Sequence, residues 1–291
     1  MLFVFLSVRD TTLRQFSFTP QRIIYTRVPK CGSTTLLRLF QDQSQIMNFN
    51  VAVRGPAWTY QLNTEERKRY IMEINNLQPF TIFIRHIYFV NFGFQQSSSS
   101  SLGHISLIRD PIKRIISQYY FVRHRCLHDK ICPGKFNKAY INQTLDECLE
   151  HSTYKCISMV NGVSNMIGFF CGQSLFCNDL NSVKPLKKAK LNIIQYYTMV
   201  GMLEQLDQFL YVLNHQMPRY FDNIHHLYKA RKSPRKNKSA KPPHLPNNHT
   251  IKKLKILLKN EYELYEFVYK RFNEQYTKLI KTYSTNSNMT R

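Results

Sequence analysis

Apolar and polar positions along this chain switch period repeatedly. Ile23-Ile24-Tyr25 is an apolar, β-branched run and reads as a strand, while Leu36, Leu37, Leu39 and Phe40 just beyond it follow a helical pattern. Asn63-x-x-Glu66 has the form of a capping box, and Tyr70, Ile71, Ile74 and Leu77 give the helix behind it one apolar face. Phe80–Ile84 and His104–Ile108 are short apolar runs and read as buried strands. After the second, Ile112, Ile115, Ile116, Tyr119 and Tyr120 recur at helical spacing, with Pro111 at the first helical position and Asp110 as its cap. Further on, the pattern predicts helix over Asn161–Phe170, a basic helix over Lys184–Ile194 and a strand over Tyr197–Val200. Leu203, Leu206, Leu210 and Leu213 mark another helix, stopped by Pro218, and Thr250–Ile280 reads as helix broken once. Ser97–Ser101 and Lys229–Pro246 lack a packing face and read as surface loops, the second mobile. Strands alternating with helices predict an α/β domain with a central, mainly parallel sheet flanked by helices.

Two of the strand-to-helix junctions carry chemistry. Arg27-Val-Pro-Lys-Cys-Gly-Ser-Thr-Thr35 joins the first strand to the first helix. A helix start leaves backbone N–H groups unpaired, so such a turn cradles an anion. Lys30 adds a mobile positive charge, and Ser33 and Thr34 add hydroxyls. Lys precedes Gly here, so the Walker spacing of nucleoside triphosphatases is absent, which argues against a nucleotide kinase. At the second junction, Arg109 ends a strand and Ser117 lies along the next helix, a pair suited to a second phosphate. Open α/β sheets bind ligands beyond the carboxyl ends of their strands. Two phosphate sites on two such crossovers imply a nucleotide phosphorylated at two separate places.

Composition narrows the partner. The net charge of +23 over 291 residues attracts polyanions. No nucleic-acid module is recognisable, so nucleic acid is not the expected partner. The 7 cysteines contain no C-x2-C pair, which removes the usual zinc arrangement, and no metal is expected. Cys126 and Cys132 flank a short loop and are either bridged or free. Asn142-Gln-Thr, Asn237-Lys-Ser, Asn248-His-Thr and Asn288-Met-Thr are N-glycosylation sequons, of which Asn142 and Asn248 are the expected acceptors. Met1–Leu6 is far shorter than the about 20 apolar residues that span a bilayer.

The junction motifs, in this order, resemble those of sulfotransferases that use 3′-phosphoadenosine 5′-phosphosulfate (PAPS), and most closely the Golgi glycosaminoglycan uronosyl 2-O-sulfotransferases, Pipe-like members included. Arg27–Thr34 matches the family's 5′-phosphosulfate loop and Ile108–Ser117 its 3′-phosphate segment. Arg85–Phe92, Phe169-Phe170-Cys171-Gly172, Val200-Gly201 with Glu204, and the tyrosine-bearing Glu261–Phe272 match as well. The resemblance implies a P-loop-like sulfotransferase fold over residues 22–282, after an N-terminal remnant of an anchor or stem at 1–21 and before a disordered tail at 283–291. It implies PAPS as cosubstrate, a glycosaminoglycan as acceptor, a Golgi membrane location with a lumenal catalytic domain, and a homo-oligomer, a trimer among the heparan members.

The resemblance also assigns roles. His86 is the general base and Lys30 the group that meets charge on the leaving phosphate. Arg27, Lys30, Cys31, Gly32, Ser33 and Thr34 hold the 5′ end of the donor, and Arg109 and Ser117 its 3′-phosphate. Arg85, Arg235 and Lys236 face the polymer. Cys148 with Cys156, and Cys171 with Cys177, match the spacing of the family's disulfide loops, which leaves Cys31 over. Two departures stand out: Cys31 replaces the family's usual threonine, and Ile84 stands where the heparan members carry a further histidine. The second points toward the uronyl or Pipe type. A polyanion-binding protein that keeps the fold without catalysis is the alternative, and an intact Lys30 and His86 argue against it.

Overall fold

Five strands, all parallel, make one sheet: β1 (Arg22–Thr26), β2 (Asn50–Val53), β3 (Thr81–Arg85), β4 (Leu102–Ile108) and β5 (Tyr197–Met202), in the spatial order β2-β3-β1-β4-β5. They belong to a computed structural model that describes residues 19–54, 60–92, 102–128, 138–151, 165–179, 182–231 and 244–289. A parallel sheet needs both faces covered, and the sequence supplies both. Ile23, Tyr25, Ile82 and Ile84 enter one hydrophobic cluster, while the alternating Ile24 and Phe83 enter another with Tyr70 and Ile74. That is the two-residue strand period read from opposite sides.

Helices cover these faces. After β1 comes α1 (Ser33–Met47), after β2 comes α2 (Thr64–Asn75), and after β4 comes α3 (Pro111–His128). Two short helices follow, α4 (Lys138–Asn142) and α5 (Leu145–His151), then α6 (Met166–Cys171) and α7 (Lys184–Tyr196), which leads straight into β5. Beyond the sheet lie α8 (Leu206–Gln216), α9 (Pro218–Phe221), α10 (Ile224–Ala230), α11 (Asn248–Leu257) and α12 (Lys259–Met289). The capping box at α2 forms in full: Glu66 N donates to Asn63 Oδ1 at 2.9 Å, and Asn63 N to Glu66 Oε2 at 2.8 Å. Asp110 caps α3 by accepting from Lys113 N at 2.8 Å.

The sequence pattern and the structure differ in places. The edge strand β2 escapes notice because its four residues are only partly covered. Leu203 belongs to a 3-10 turn, Leu203–Gln205, so α8 starts later than its leucine spacing implies. Pro218 does not merely stop that helix but opens α9, a position where its missing N–H costs nothing. The C-terminal break falls at Leu258, between α11 and α12. α6 begins at Met166, and residues 161–164 lie outside the described residues, as does Ser97–Ser101. Of Lys229–Pro246, the first two residues finish α10, and 232–243 lie outside the described residues.

Cys171 and Cys177 form a disulfide, with Cα atoms 5.6 Å apart. Cys126 and Cys148 are each engaged in a disulfide of their own, which removes the free-thiol option for Cys126. Cys132 and Cys156 lie outside the described residues. Asn142 and Asn248 are both exposed. Among the described residues no helix is long and apolar enough to cross a membrane.

The chain leaves β1 toward β2, beyond β3, whereas β4 is followed in the sheet by β5 on the opposite flank. A crevice therefore opens at the carboxyl ends of β1 and β4, the position where open α/β sheets bind ligands.

Candidate active site

Three strand ends converge on that crevice. Thr26 is in register with Arg85 of β3 and with Ser106 of β4, so the segments after β1, β3 and β4 leave the sheet side by side. The first is the loop 27–32. It turns through two left-handed residues, Lys30 at φ 63 and Gly32 at φ 75. At Gly32 the positive φ favours glycine, and an added Cβ would push against Leu203 Cδ1 at 2.5 Å. Because α1 then starts without a side-chain cap, its first N–H groups face the loop, ready for an anion.

Arg27 spans the same turn. Its Nε donates to Ser33 Oγ at 3.1 Å and its Nη2 to Thr34 Oγ1 at 3.2 Å. Lys30 Nζ lies 3.7 Å from the centroid of the Phe121 ring on α3, a cation–π contact. Burial, reinforced by the Arg109 guanidinium, lowers the Lys30 ammonium to about 8. Arg109 in turn donates from Nη1 to the Lys30 carbonyl at 3.2 Å, tying the β4 exit to the β1 loop. It does so with Asp110 engaged elsewhere: the Asp110 carboxylate holds the start of α3 and accepts from Tyr262 Oη at 3.2 Å. Glu204 accepts from Asp110 N at 3.1 Å and from Tyr265 Oη at 3.4 Å. Ser117 lies half-buried on α3.

His86 follows β3 directly. Its Nδ1 is 2.6 Å from the carbonyl oxygen of Arg27. A carbonyl only accepts, so Nδ1 carries the hydrogen and Nε2 presents a lone pair. Burial, then the nearby Arg27 charge, pushes the imidazole down to about 4 against the opposing pull of that hydrogen bond. The ring is therefore neutral at pH 7, but it titrates well below the near-neutral range expected of a solvated histidine. Tyr60 meets it edge-on at 6.4 Å and stacks on Tyr88 at 5.8 Å. Arg85 turns another way: its guanidinium lies over the Tyr70 ring of α2 at 5.7 Å, since neighbours in a strand point to opposite faces. Arg235 and Lys236 lie outside the described residues.

Two buried groups of opposite charge interact electrostatically without a direct bond between them. Arg114 of α3 is fully buried, and none of its side-chain nitrogens has a hydrogen-bond partner. Glu261 of α12 is buried too and accepts from Met166 N at 3.0 Å and Ile167 N at 3.1 Å, holding the first turn of α6. Burial raises the Glu261 carboxyl, and the charge of Arg114 works against that rise. Removing one member leaves the other charge uncompensated. Glu261→Ala also strips the buried Met166 and Ile167 N–H groups of their acceptor, so it is expected to destabilise the fold by about 3 kcal/mol or more, with a Tm drop on the order of 10 °C in a calorimetric scan. An unchanged Tm would show that Arg114 needs no counter-charge.

Sequence reasoning passed over Tyr60 and Phe121, and took in Arg114 only as part of the Ile108–Ser117 segment. Phe121 extends the Tyr119-Tyr120 run, and a charged residue between Pro111 and Ile115 was a visible signal for Arg114. Nothing in the sequence around Tyr60 marks it as a neighbour of His86.

A family model described as "Sulfotransferase family" matches residues 15–268. The chain belongs to the sulfotransferase family. Heparan sulfate 2-O-sulfotransferase 1 of Cricetulus griseus is 31% identical over 263 residues, covering 86% of this chain and 70% of that protein. The Homo sapiens protein of the same name is 30% identical over the same coverage. Homo sapiens uronyl 2-sulfotransferase is 28% identical over 263 residues, covering 87% of this chain and 63% of that one. A sulfotransferase must hold an anionic sulfuryl donor, neutralise the charge its leaving group gains, and relieve the acceptor hydroxyl of a proton. The uncapped start of α1, ringed by Arg27, Lys30, Ser33 and Thr34, fits an anionic donor group, and His86 offers a proton acceptor beside it.

Proposed function

We propose that this sulfotransferase transfers the sulfuryl group of PAPS to the 2-hydroxyl of uronic acid residues in a glycosaminoglycan. The observation that carries the reading is the meeting of an anion loop with Lys30, a second basic strand end with Arg109, and a neutral histidine with a free Nε2 at one sheet edge. Similarity along most of the chain to 2-O-sulfotransferases acting on heparan sulfate and on uronyl units supports the acceptor.

In this reading the N–H groups from Cys31 to Thr34, with Arg27 and the Ser33 and Thr34 hydroxyls, hold the 5′-phosphosulfate. Arg109 and Ser117 hold the 3′-phosphate. His86 Nε2 takes the proton of the 2-hydroxyl as its oxygen forms the new bond to sulfur. The bond from sulfur to the bridging oxygen breaks, and that oxygen keeps the electron pair. Lys30 leaves the Phe121 face to meet the charge that develops there. Arg235 and Lys236 contribute polymer contacts. The disulfide-bonded Cys126, Cys148, Cys171 and Cys177 and the exposed sequon asparagines suit an oxidising secretory compartment, consistent with the Golgi lumen.

Incubation of the purified protein with radiolabelled PAPS and a panel of desulfated heparan, dermatan and chondroitin chains tests this. Label is expected in 2-O-sulfated uronate disaccharides after lyase digestion. Binding of the polymers without any transfer would favour the non-catalytic reading.

A further inference from the structure

A cavity of about 390 Å³, lined by none of the donor-loop residues, is walled by α2, α7 and the segment that continues from His86. Its volume falls within the range of about 300–1,000 Å³ usual for ligand pockets. Arg67, Lys68 and Lys188 line it, and none of its described lining residues is a carboxylate. Lys68 is paired with Glu65 at 2.8 Å, and Arg67 donates to Asn63 O and Thr64 Oγ1, so both are held in place at the start of α2. Lys188 stands exposed on the opposite wall.

Part of the lining is polar, and one polar atom lies buried beside it. Asn192, which lines the cavity, is 1% exposed. Its Nδ2 donates to the carbonyls of Phe170 at 2.7 Å and Cys171 at 3.0 Å, which fixes the orientation of the amide. Its Oδ1 is then left buried with no hydrogen-bond partner. A buried acceptor without a donor is costly, so such an atom marks a place where a donor is expected. Ile71, Phe89 and Val90 add apolar wall. The Cys171–Cys177 bridge closes the adjacent loop.

Cations at the rim, polar side chains of Asn91, Gln173 and Asn192 and apolar side walls together match a sugar ring bearing sulfate or carboxylate and free hydroxyls. A bare inorganic anion uses only the first of these. We propose that this cavity is a second, non-catalytic seat for the acceptor polymer, taking an anionic sugar unit further along the chain than the one presented to His86. The proposal rests on the polysaccharide acceptor assigned above. One polymer reaches both places: Asn91, at the cavity, is five residues beyond His86, so the two lie at most about 18 Å apart along the backbone.

The test uses the full chain and desulfated heparan oligosaccharides of two lengths, a tetrasaccharide and a dodecasaccharide. In the double variant Arg67→Ala/Lys188→Ala, KM for the dodecasaccharide is expected to rise about tenfold, as for the loss of charge-assisted contacts. KM for the tetrasaccharide and kcat for both should stay at the wild-type values. The salt dependence of dodecasaccharide binding, measured by titration calorimetry without donor, should become shallower by about 1.5 in log–log slope for two lost contacts. Equal KM changes for both lengths, or none, would overturn the seat. If the wild-type protein sulfated neither oligosaccharide, the proposed acceptor would fall, and calorimetry would still decide: weaker dodecasaccharide binding by the double variant supports the seat, and equal binding rejects it. Lys188→Gln, a change at an exposed position, repeats the measurement with minimal risk to folding.

Discussion

His86→Asn is expected to bind donor and polymer close to normally and to turn over about 10²–10⁴-fold more slowly, the usual range for loss of a general base. Asparagine preserves a donor for the Arg27 carbonyl, which His86 Nδ1 engages at 2.6 Å. It offers no group that takes a proton. The wild-type pH profile carries a second readout. The imidazole sits at about 4, below its ordinary range, because burial and Arg27 disfavour its charged form. As pH falls through that value the ring gains a proton and the base is lost. The acid limb of kcat/KM, which reports the free enzyme, should therefore lie near 4 rather than near 6.5, and should vanish in the mutant. A mutant that keeps both rate and limb would assign proton removal to another residue. Lost donor binding would make His86 part of the donor site instead.

Lys30→Ala should cost orders of magnitude in turnover with little change in Tm. An amine at about 8 is still mainly charged at pH 7. Above that value it loses its proton and can no longer offset charge on the leaving phosphate, so the wild-type rate should fall on the alkaline side. The mutant should start from a much lower plateau without that limb. Removal of a single electrostatic stabiliser typically costs about 10²–10³-fold in kcat. Rapid-mixing measurement of kcat, with donor affinity determined separately, distinguishes this from simple anchoring. A normal kcat with weakened donor binding would reduce Lys30 to a phosphate ligand. Near-normal sulfation would remove it from the mechanism.

Much of the scaffold was readable because its signals are local. The Asn63–Glu66 box, the Asp110-Pro111 helix start and the apolar runs of β1, β3 and β4 each depend on a few adjacent residues. The anion loop was readable for the same reason. What escaped depends on distant partners. β2 is a strand only because β3 lies beside it, with Asn50 to Val53 paired to Thr81 to Ile84. The depressed imidazole of His86 comes from burial and from Arg27, 59 residues away. Arg85 sits next to His86 in sequence, yet strand alternation carries it to Tyr70. The electrostatic influence of Arg114 on Glu261 acts between helices far apart along the chain and leaves no periodic trace.

Cys31 is the free cysteine among the described residues, and it is fully enclosed directly after Lys30. Burial pushes its thiol up to about 12, so it stays protonated and unreactive in the folded protein. That protection exists only once β1, its loop and α1 have closed over the sulfur. In a newly made chain Cys31 is one more thiol among the 7, competing for the partners that the native bridges need. Closure of the loop around Cys31 therefore withdraws the odd sulfur from that competition. The step that builds the anion-loop turn thus also favours correct cross-linking of the rest of the molecule.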